Sequence, residues 1–268
     1  MLAQHAMIDR LREICHDDRR VVAALLYGSF ATGEGDAYSD IEAVVFFDPA
    51  ALPTLDRAGW VAAVAPLLAF FPDEFGHYTA IFDNLVRGEF HFEPSSRIPV
   101  VSTWVGYGWY PTVEAALLVD RTGALTRAMR PLVGAPPARD AAALAPRLVE
   151  NLANLILFGA QVLRRGEVAR ASELLVFAAR HLQHLARLVE GATAHWPTPS
   201  RALEHDLSPE AYRRYLTCTA RADAPALRRA YRAAWEWGVE LAEILAARHA
   251  LALPTALMTR ITAYLAEV

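Results

Sequence analysis

The apolar, partly β-branched run Val21 to Leu26 stops at Tyr27-Gly28-Ser29-Phe30. Ten residues after Ser29 a second such run opens on Ser39-Asp40-Ile41-Glu42. A buried strand, a tight turn and a strand that begins with two acids limit the possible folds more than any other stretch. Gly28 has no Cβ, so the chain can turn sharply and a phosphate can approach the main chain. Ser29 offers an N–H and a hydroxyl beside it, and a helix starting there would add the positive end of its dipole. Asp40 and Glu42, two residues apart on a strand, point to one face while Ile41 points to the other. Their carboxylates can converge on one divalent cation, and magnesium takes one or two carboxylates together with water and substrate phosphates. Taken singly, the Gly-Ser pair reads as a plain turn and the two acids as a solvated strand end. The order of the elements is the more specific signal.

A third carboxylate lies in Arg87-Gly88-Glu89-Phe90-His91-Phe92. Glu89, His91 and Glu93 share one face of this apolar strand, and Phe90 and Phe92 share the other. If that strand lies beside the Asp40–Glu42 strand, Glu89 reaches the same centre. There it would either ligate a metal or take a proton from an attacking hydroxyl. The alternative is a polar sheet face turned to water.

Composition sets the outer bounds. With 268 residues, 54% of them hydrophobic, the chain can form one large or two modest domains. A net charge of -4 and a pI near 6.1 suit nucleic acid poorly, because phosphate contacts need clustered cations. All 26 Lys+Arg residues are Arg. Chemistry that needs a phosphate-loop lysine or a Schiff-base lysine is therefore excluded, and phosphate charge must be met by Arg, backbone N–H or metal. Cys15 and Cys218 stand far apart with no partner motif, which argues against a disulfide framework or a zinc site. The charged stretch Met1 to Arg20 is no signal peptide, and no apolar run approaches the ~18 residues of a membrane span. The expectation is a soluble cytoplasmic protein that binds neither nucleic acid nor membrane.

Along the chain, helical spacing of Met7, Ile8, Leu11 and Ile14 predicts a short helix over residues 6–15. Strands are expected at 21–26, 41–47, 78–82, 85–92 and 117–120, with the third and fourth joined by a turn at Asp83-Asn84. Residues 60–71 read as a helix. The composition changes after Gly134-Ala135-Pro136-Pro137 to Ala, Leu, Arg and Glu with 3.6-residue periodicity. Helices are expected near 141–165, 168–190, 208–221, 224–248 and 254–267, punctuated by Pro197, Pro199 and Pro209. The fold class is therefore α+β: a mixed-sheet domain over 1–135, then an all-α helical bundle over 136–268.

The strings Tyr27-Gly28-Ser29-Phe30, Gly33-Glu34-Gly35-Asp36 and Tyr38-Ser39-Asp40-Ile41-Glu42 resemble the nucleotidyltransferase superfamily. Ile81-Phe82-Asp83-Asn84-Leu85 and Arg87-Gly88-Glu89-Phe90-His91-Phe92 resemble, more narrowly, the lincosamide nucleotidyltransferases. So do Arg165-Gly166-Glu167, Ala169-Arg170 with Glu173-Leu174-Leu175, and Thr219-Ala220-Arg221. The resemblance implies a polymerase-beta-like nucleotidyltransferase catalytic domain and a helical domain that walls the substrate cleft and makes a homodimer. It implies Mg2+ and a nucleoside triphosphate, usually ATP. By likeness Asp40 and Glu42 ligate magnesium, Glu89 is the base or third carboxylate, and Gly28, Ser29 and Ser39 hold the nucleotide. His91, Tyr110, Arg170 and Glu173 are the candidates for contact with a small-molecule acceptor. The implied reaction is transfer of AMP to a hydroxyl of a lincosamide, with release of pyrophosphate. Segments 94–111 and 191–206 depart from the family pattern. Two other readings share the scaffold: an aminoglycoside nucleotidyltransferase, whose polycationic acceptor would want an acid-rich pocket, and a non-catalytic antitoxin-like module, against which the three carboxylates argue. Trp235 and Trp237 read as packing residues.

Overall fold

In the computed structural model residues 2–267 are described. The chain divides into two compact units, Met1–Pro137 and Ala138–Val268.

The first unit is built on a six-stranded sheet. Its strands are β1 (Val21–Tyr27), β2 (Ile41–Phe47), β3 (Leu67–Pro72), β4 (Tyr78–Phe82), β5 (Arg87–Pro94) and β6 (Leu117–Asp120), in the order β3-β4-β5-β2-β1-β6. The β2–β5 pair is parallel and the other pairs are antiparallel. Helices α1 (Ala3–Asp17), α2 (Gly28–Thr32), α3 (Arg57–Ala62), α4 (Val113–Ala116) and α5 (Ala124–Met129) accompany it, with 3-10 turns over Ser95–Trp104. The central strands β1 and β2 are apolar on both faces, as strands covered on both sides must be; Ala23, Leu25, Ile41, Ala43, Val45 and Phe47 are buried. Behind the Glu89 face, Phe92 meets Phe47, Trp60 and Tyr78 in an aromatic cluster, with ring centroids 5.6–6.0 Å apart.

The expected helix over 60–71 is corrected. Its first part is the end of α3, and residues 67–72 are β3, an edge strand paired to β4. Pro66 has no N–H to continue a helix, and the aromatic, apolar run beyond it gains more from a ladder than from a helical turn. The Asp83-Asn84 turn closes through Asn84 Oδ1, which accepts from the Val86 N–H at 3.1 Å, with Leu85 in the left-handed region (φ 63°).

The second unit consists of α6 (Ala141–Arg164), α7 (Val168–Glu190), α8 (Leu203–Asp206), α9 (Pro209–Thr217), α10 (Ala224–His249) and α11 (Thr255–Ala266). Side-chain caps define three starts: Asp140, Ser208 and Asp223 accept from Ala143, Ala211 and Ala226 N–H groups. Among the described residues α6 is long and apolar enough, by length and composition, to cross a bilayer. That corrects the expectation that no run approaches such a length. Here α6 packs on α7 and α10, with Leu152, Ile156 and Leu163 in the core. Gly159 lets α10 come close: a Cβ there would lie 1.9 Å from Tyr231 Oη. Trp235 and Trp237 are core residues, and Trp235 Nε1 donates to Thr262 at 2.8 Å.

The stretch between α7 and α8 is organised by a cation. Arg187 is fully buried. It donates to the carbonyls of Ala192, Pro199 and Arg201 and to Asp206 Oδ2, at 2.6–2.9 Å. No other side chain carries so many rigid donors; removing it takes a donor from three carbonyls and leaves Asp206 its contact with His195. Arg187→Met is expected to destabilise the protein by about 3–5 kcal/mol, and Arg187→Lys to recover little of it, as read by urea unfolding.

Candidate active site

The site grows from one row of side chains across the sheet. Register pairs Tyr27 with Glu42, Glu42 with Glu89, and Glu89 with Thr79. Cα partners carry side chains on the same face, with strands ~4.8 Å apart. Glu42 and Glu89 are therefore neighbours, and Tyr27 and Thr79 flank them. His91 follows Glu89 on the same face, and Arg87 and Asp40 precede the two acids.

At the end of β1 the chain turns at Gly28, with φ 69°. A Cβ there would lie 1.5 Å from Glu42 Oε2, so the Glu42 carboxylate rests directly on the glycine α-carbon. The turn and the acid are thus one packed unit. Ser29 is buried, and its carbonyl accepts from Thr32 and from the Glu34 N–H. The helix it opens has five residues, so only a short dipole stands behind the turn. The Ser39 hydroxyl donates to Asp36 Oδ1 at 2.9 Å and accepts the Asp36 N–H at 3.0 Å. Buried Gln4 of α1 donates to the carbonyls of Ala37 and Ser39. These bonds fix the loop that presents Asp40.

Arg87 bridges Asp40 and Glu89: Nη1 donates to Asp40 Oδ2, and Nη2 lies 2.8 Å from Glu89 Oε2. The other Glu89 oxygen accepts from the Tyr27 hydroxyl at 2.7 Å. His91 Nε2 lies 2.7 Å from Tyr27 Oη and 3.2 Å from Glu89 Oε1. Burial works against the Glu89 charge, but the bonds from Tyr27, Arg87 and His91 and the charge of Arg87 outweigh it and hold the carboxyl at about 2. Burial pushes the Tyr27 phenol well up, and its bond to Glu89 and the charges of Glu89, Glu42 and Asp40 push it further, so it stays a donor. Burial lowers the His91 pKa against its bond to Glu89, and the charge on His77 lowers it further.

Asp40, Glu42 and Glu89 are thus brought to one face beside the Gly28-Ser29 turn, with His91 against Glu89. Tyr110 is 2% exposed, and burial together with the Glu42 charge raises its pKa. It is a core residue rather than a surface for an acceptor. Arg170 and Glu173 are exposed on α7 of the helical unit, where Arg170 meets Glu167 at 3.3 Å and lies over the Phe158 ring. Sequence reasoning missed Arg87, the Tyr27 hydroxyl and Gln4. Alternation along β5 carried the signal for Arg87, two residues before Glu89. Nothing local marks Gln4.

A cation already sits between Asp40 and Glu89, in the form of the Arg87 guanidinium, so this cluster accommodates positive charge. Its donors are hard carboxylate oxygens, the set magnesium prefers. Asp40, Glu42 and Glu89 carry oxygen donors of the kind a divalent cation takes, but with Arg87 between Asp40 and Glu89 their oxygens do not all lie within 4.8 Å of one another, as the donors of His77, Glu89 and His91 do.

Comparison with known proteins defines the class. Residues 8–71 match the model of the nucleotidyltransferase domain, and residues 141–264 match that of the lincosamide nucleotidyltransferase-like C-terminal domain. The first match spans Gly28, Ser29, Asp40 and Glu42, and the second spans α6 to α11. The chain belongs to the nucleotidyltransferase family, with a C-terminal domain of the lincosamide nucleotidyltransferase-like type. No curated protein matches it. Among solved structures, an aminoglycoside 6-adenyltransferase from Bacillus subtilis is 11% identical, covering 100% of this chain and 98% of that one, with a TM-score of 0.46. A nucleotidyltransferase-like protein from Exiguobacterium sibiricum 255-15 is 14% identical, covering 90% of this chain and 75% of that one, with a TM-score of 0.39. Likeness of that size says nothing of activity.

Two outcomes test this geometry. Gly28 and Gly33 both have positive φ, but only Gly28 would clash with a Cβ. Gly28→Ala should therefore cost more than Gly33→Ala, whose strain alone is about 1 kcal/mol, as read by urea unfolding. Glu89 has a lowered folded-state pKa, so its contribution is complete above the unfolded value of about 4.3 and is lost as pH falls toward about 2. The stability difference between wild type and Glu89→Gln should shrink across that window and stay flat from pH 5 to 7.

Proposed function

We propose that this protein transfers a nucleoside monophosphate, AMP from ATP, to a hydroxyl of a small molecule of the lincosamide class and releases pyrophosphate. The observation that carries the reading is the register pairing of Glu42 with Glu89 beside the Gly28-Ser29 turn, with Asp40 tied to Glu89 through Arg87. The match of the helical unit to the lincosamide nucleotidyltransferase-like C-terminal domain supports the acceptor class.

The acceptor oxygen attacks the α-phosphorus in line, the bond from that phosphorus to the bridging oxygen breaks, and pyrophosphate leaves. Gly28 gives the triphosphate access to the main chain, and the backbone N–H groups around Ser29 face its charge. Asp40 and Glu42 would hold magnesium, which leaves Glu89 as the proton acceptor. Magnesium bound there would supply charge neutralisation for the phosphate oxygens. Glu89 receives the hydroxyl proton. It is ionised throughout the neutral range, and it becomes more basic when Arg87 swings from its Oε2 toward the phosphates. Tyr27 orients the carboxylate through its 2.7 Å bond. The chain carries no lysine, so Arg87 is the mobile cation nearest the reacting groups. Positioning and charge neutralisation do most of the work.

In this reading the helical unit joins two copies as a homodimer. Val176 and Phe177 of α7 and Leu216 of α9 are exposed and suit such a contact. The protein acts in the cytoplasm, away from nucleic acid and membrane.

The test is a panel of lincosamide and aminoglycoside acceptors incubated with ATP and magnesium and read by mass spectrometry. A gain of one AMP on a lincosamide is expected, and no gain on any acceptor removes the reading. Asp40→Asn and Glu42→Gln should reduce transfer to background with the far-UV circular dichroism unchanged. Glu89→Gln should lower kcat by roughly 10²–10⁴-fold.

A further inference from the structure

The sheet face that carries Glu89 continues toward β4 and ends in a second cluster. His77 precedes β4, and its ring centroid lies 3.7 Å from that of His91. Its Nδ1 is 4.0 Å from Glu89 Oε1, and His91 Nε2 is 3.2 Å from the same oxygen. One donor atom from each of His77, Glu89 and His91 lies within 4.8 Å of the others. Among the described residues no other such triad of potential ligands converges so closely. The three side chains are 37%, 20% and 18% exposed, open enough for an ion to enter and covered enough to hold it. Asp73 accepts from the backbone N–H groups of Phe75 and His77 at 2.9 Å, and its Oδ2 lies 3.8 Å from His77 Nδ1. It fixes the turn that delivers His77.

This donor set differs in kind from the carboxylates around Asp40. Magnesium and calcium take oxygen, whereas imidazole suits zinc, nickel, cobalt and copper. Two imidazoles and one carboxylate, with a position left for water, are a common accessible zinc environment. We propose that His77, Glu89 and His91 bind a borderline divalent cation of the Zn2+ class, and that its binding takes Glu89 out of the transfer reaction. An ion on Glu89 Oε1 competes with the Tyr27 hydroxyl and draws charge from the whole carboxylate, so Oε2 too becomes a poorer acceptor for the proton. The ion is therefore an inhibitor, competing with catalysis at the one residue the two clusters share. The inhibitory half rests on the role of Glu89 proposed above, and the binding half does not.

The full chain, stripped of metal by chelation, is titrated with Co2+ and read by visible d–d absorption, then with Zn2+ by displacement. One equivalent per chain should bind. His77→Asn should weaken Zn2+ binding by more than about tenfold, while His249→Asn, at an exposed histidine of α10, should leave it unchanged. In the magnesium-supported transfer assay, the Zn2+ concentration that halves each protein's own rate should rise more than about tenfold in His77→Asn. Equal Zn2+ affinity in wild type and His77→Asn overturns the site. Tight binding without inhibition overturns the inhibitory role. Should no acceptor be modified, only the proposed transfer reaction fails, and the Co2+ titration still decides the site.

Discussion

The parallel pairing of β2 with β5 sets Glu42 beside Glu89 on one face of the sheet. Two like charges at strand spacing repel, and the rest of the site answers that repulsion. Arg87 places a guanidinium between Asp40 and Glu89, Tyr27 donates a hydroxyl, and His91 adds a ring nitrogen. The acid is held ionised by what surrounds it, against its own burial.

The backbone contributes as much as the charges. Glu42 can lie where it does because Gly28 has no side chain, and Gly28 can turn as it does because its φ is open to glycine. One substitution would disturb the Gly28-Ser29 turn and the Glu42 carboxylate together. Gln4 and the Asp36–Ser39 bonds hold the following loop, so Asp40 is delivered by a fixed stretch of chain rather than by a free one. In the helical unit a single buried arginine, Arg187, plays the comparable part for the stretch between α7 and α8.

Much of this was legible in the residues. The patterns for β2, β4, β6 and α7 mark their observed extents, because apolar strand-forming runs or helical periodicity end there in turn- or helix-breaking residues. The region around Pro66 was not legible: an apolar run of mixed aromatic and aliphatic residues suits a helix and an edge strand equally, and the β4 ladder decided between them. The length and composition of α6 suffice for a bilayer, and only its packing on α7 and α10 shows where its apolar side lies. Tyr110 was a candidate for acceptor contact, yet the fold buries it in the core.

The sequence by itself determined the chemical inventory: an arginine-only cation set, a Gly-Ser turn after a strand, and three acids in strand contexts. It also determined which residues share a face along each strand, since that period is a property of the backbone. Tertiary structure alone decided what stands across from what. Strand order and register set Glu42 against Glu89, Tyr27 against Glu42, and His77 against His91. Those pairings join residues up to 47 positions apart, and they depend on how six strands share one sheet, which no local pattern encodes.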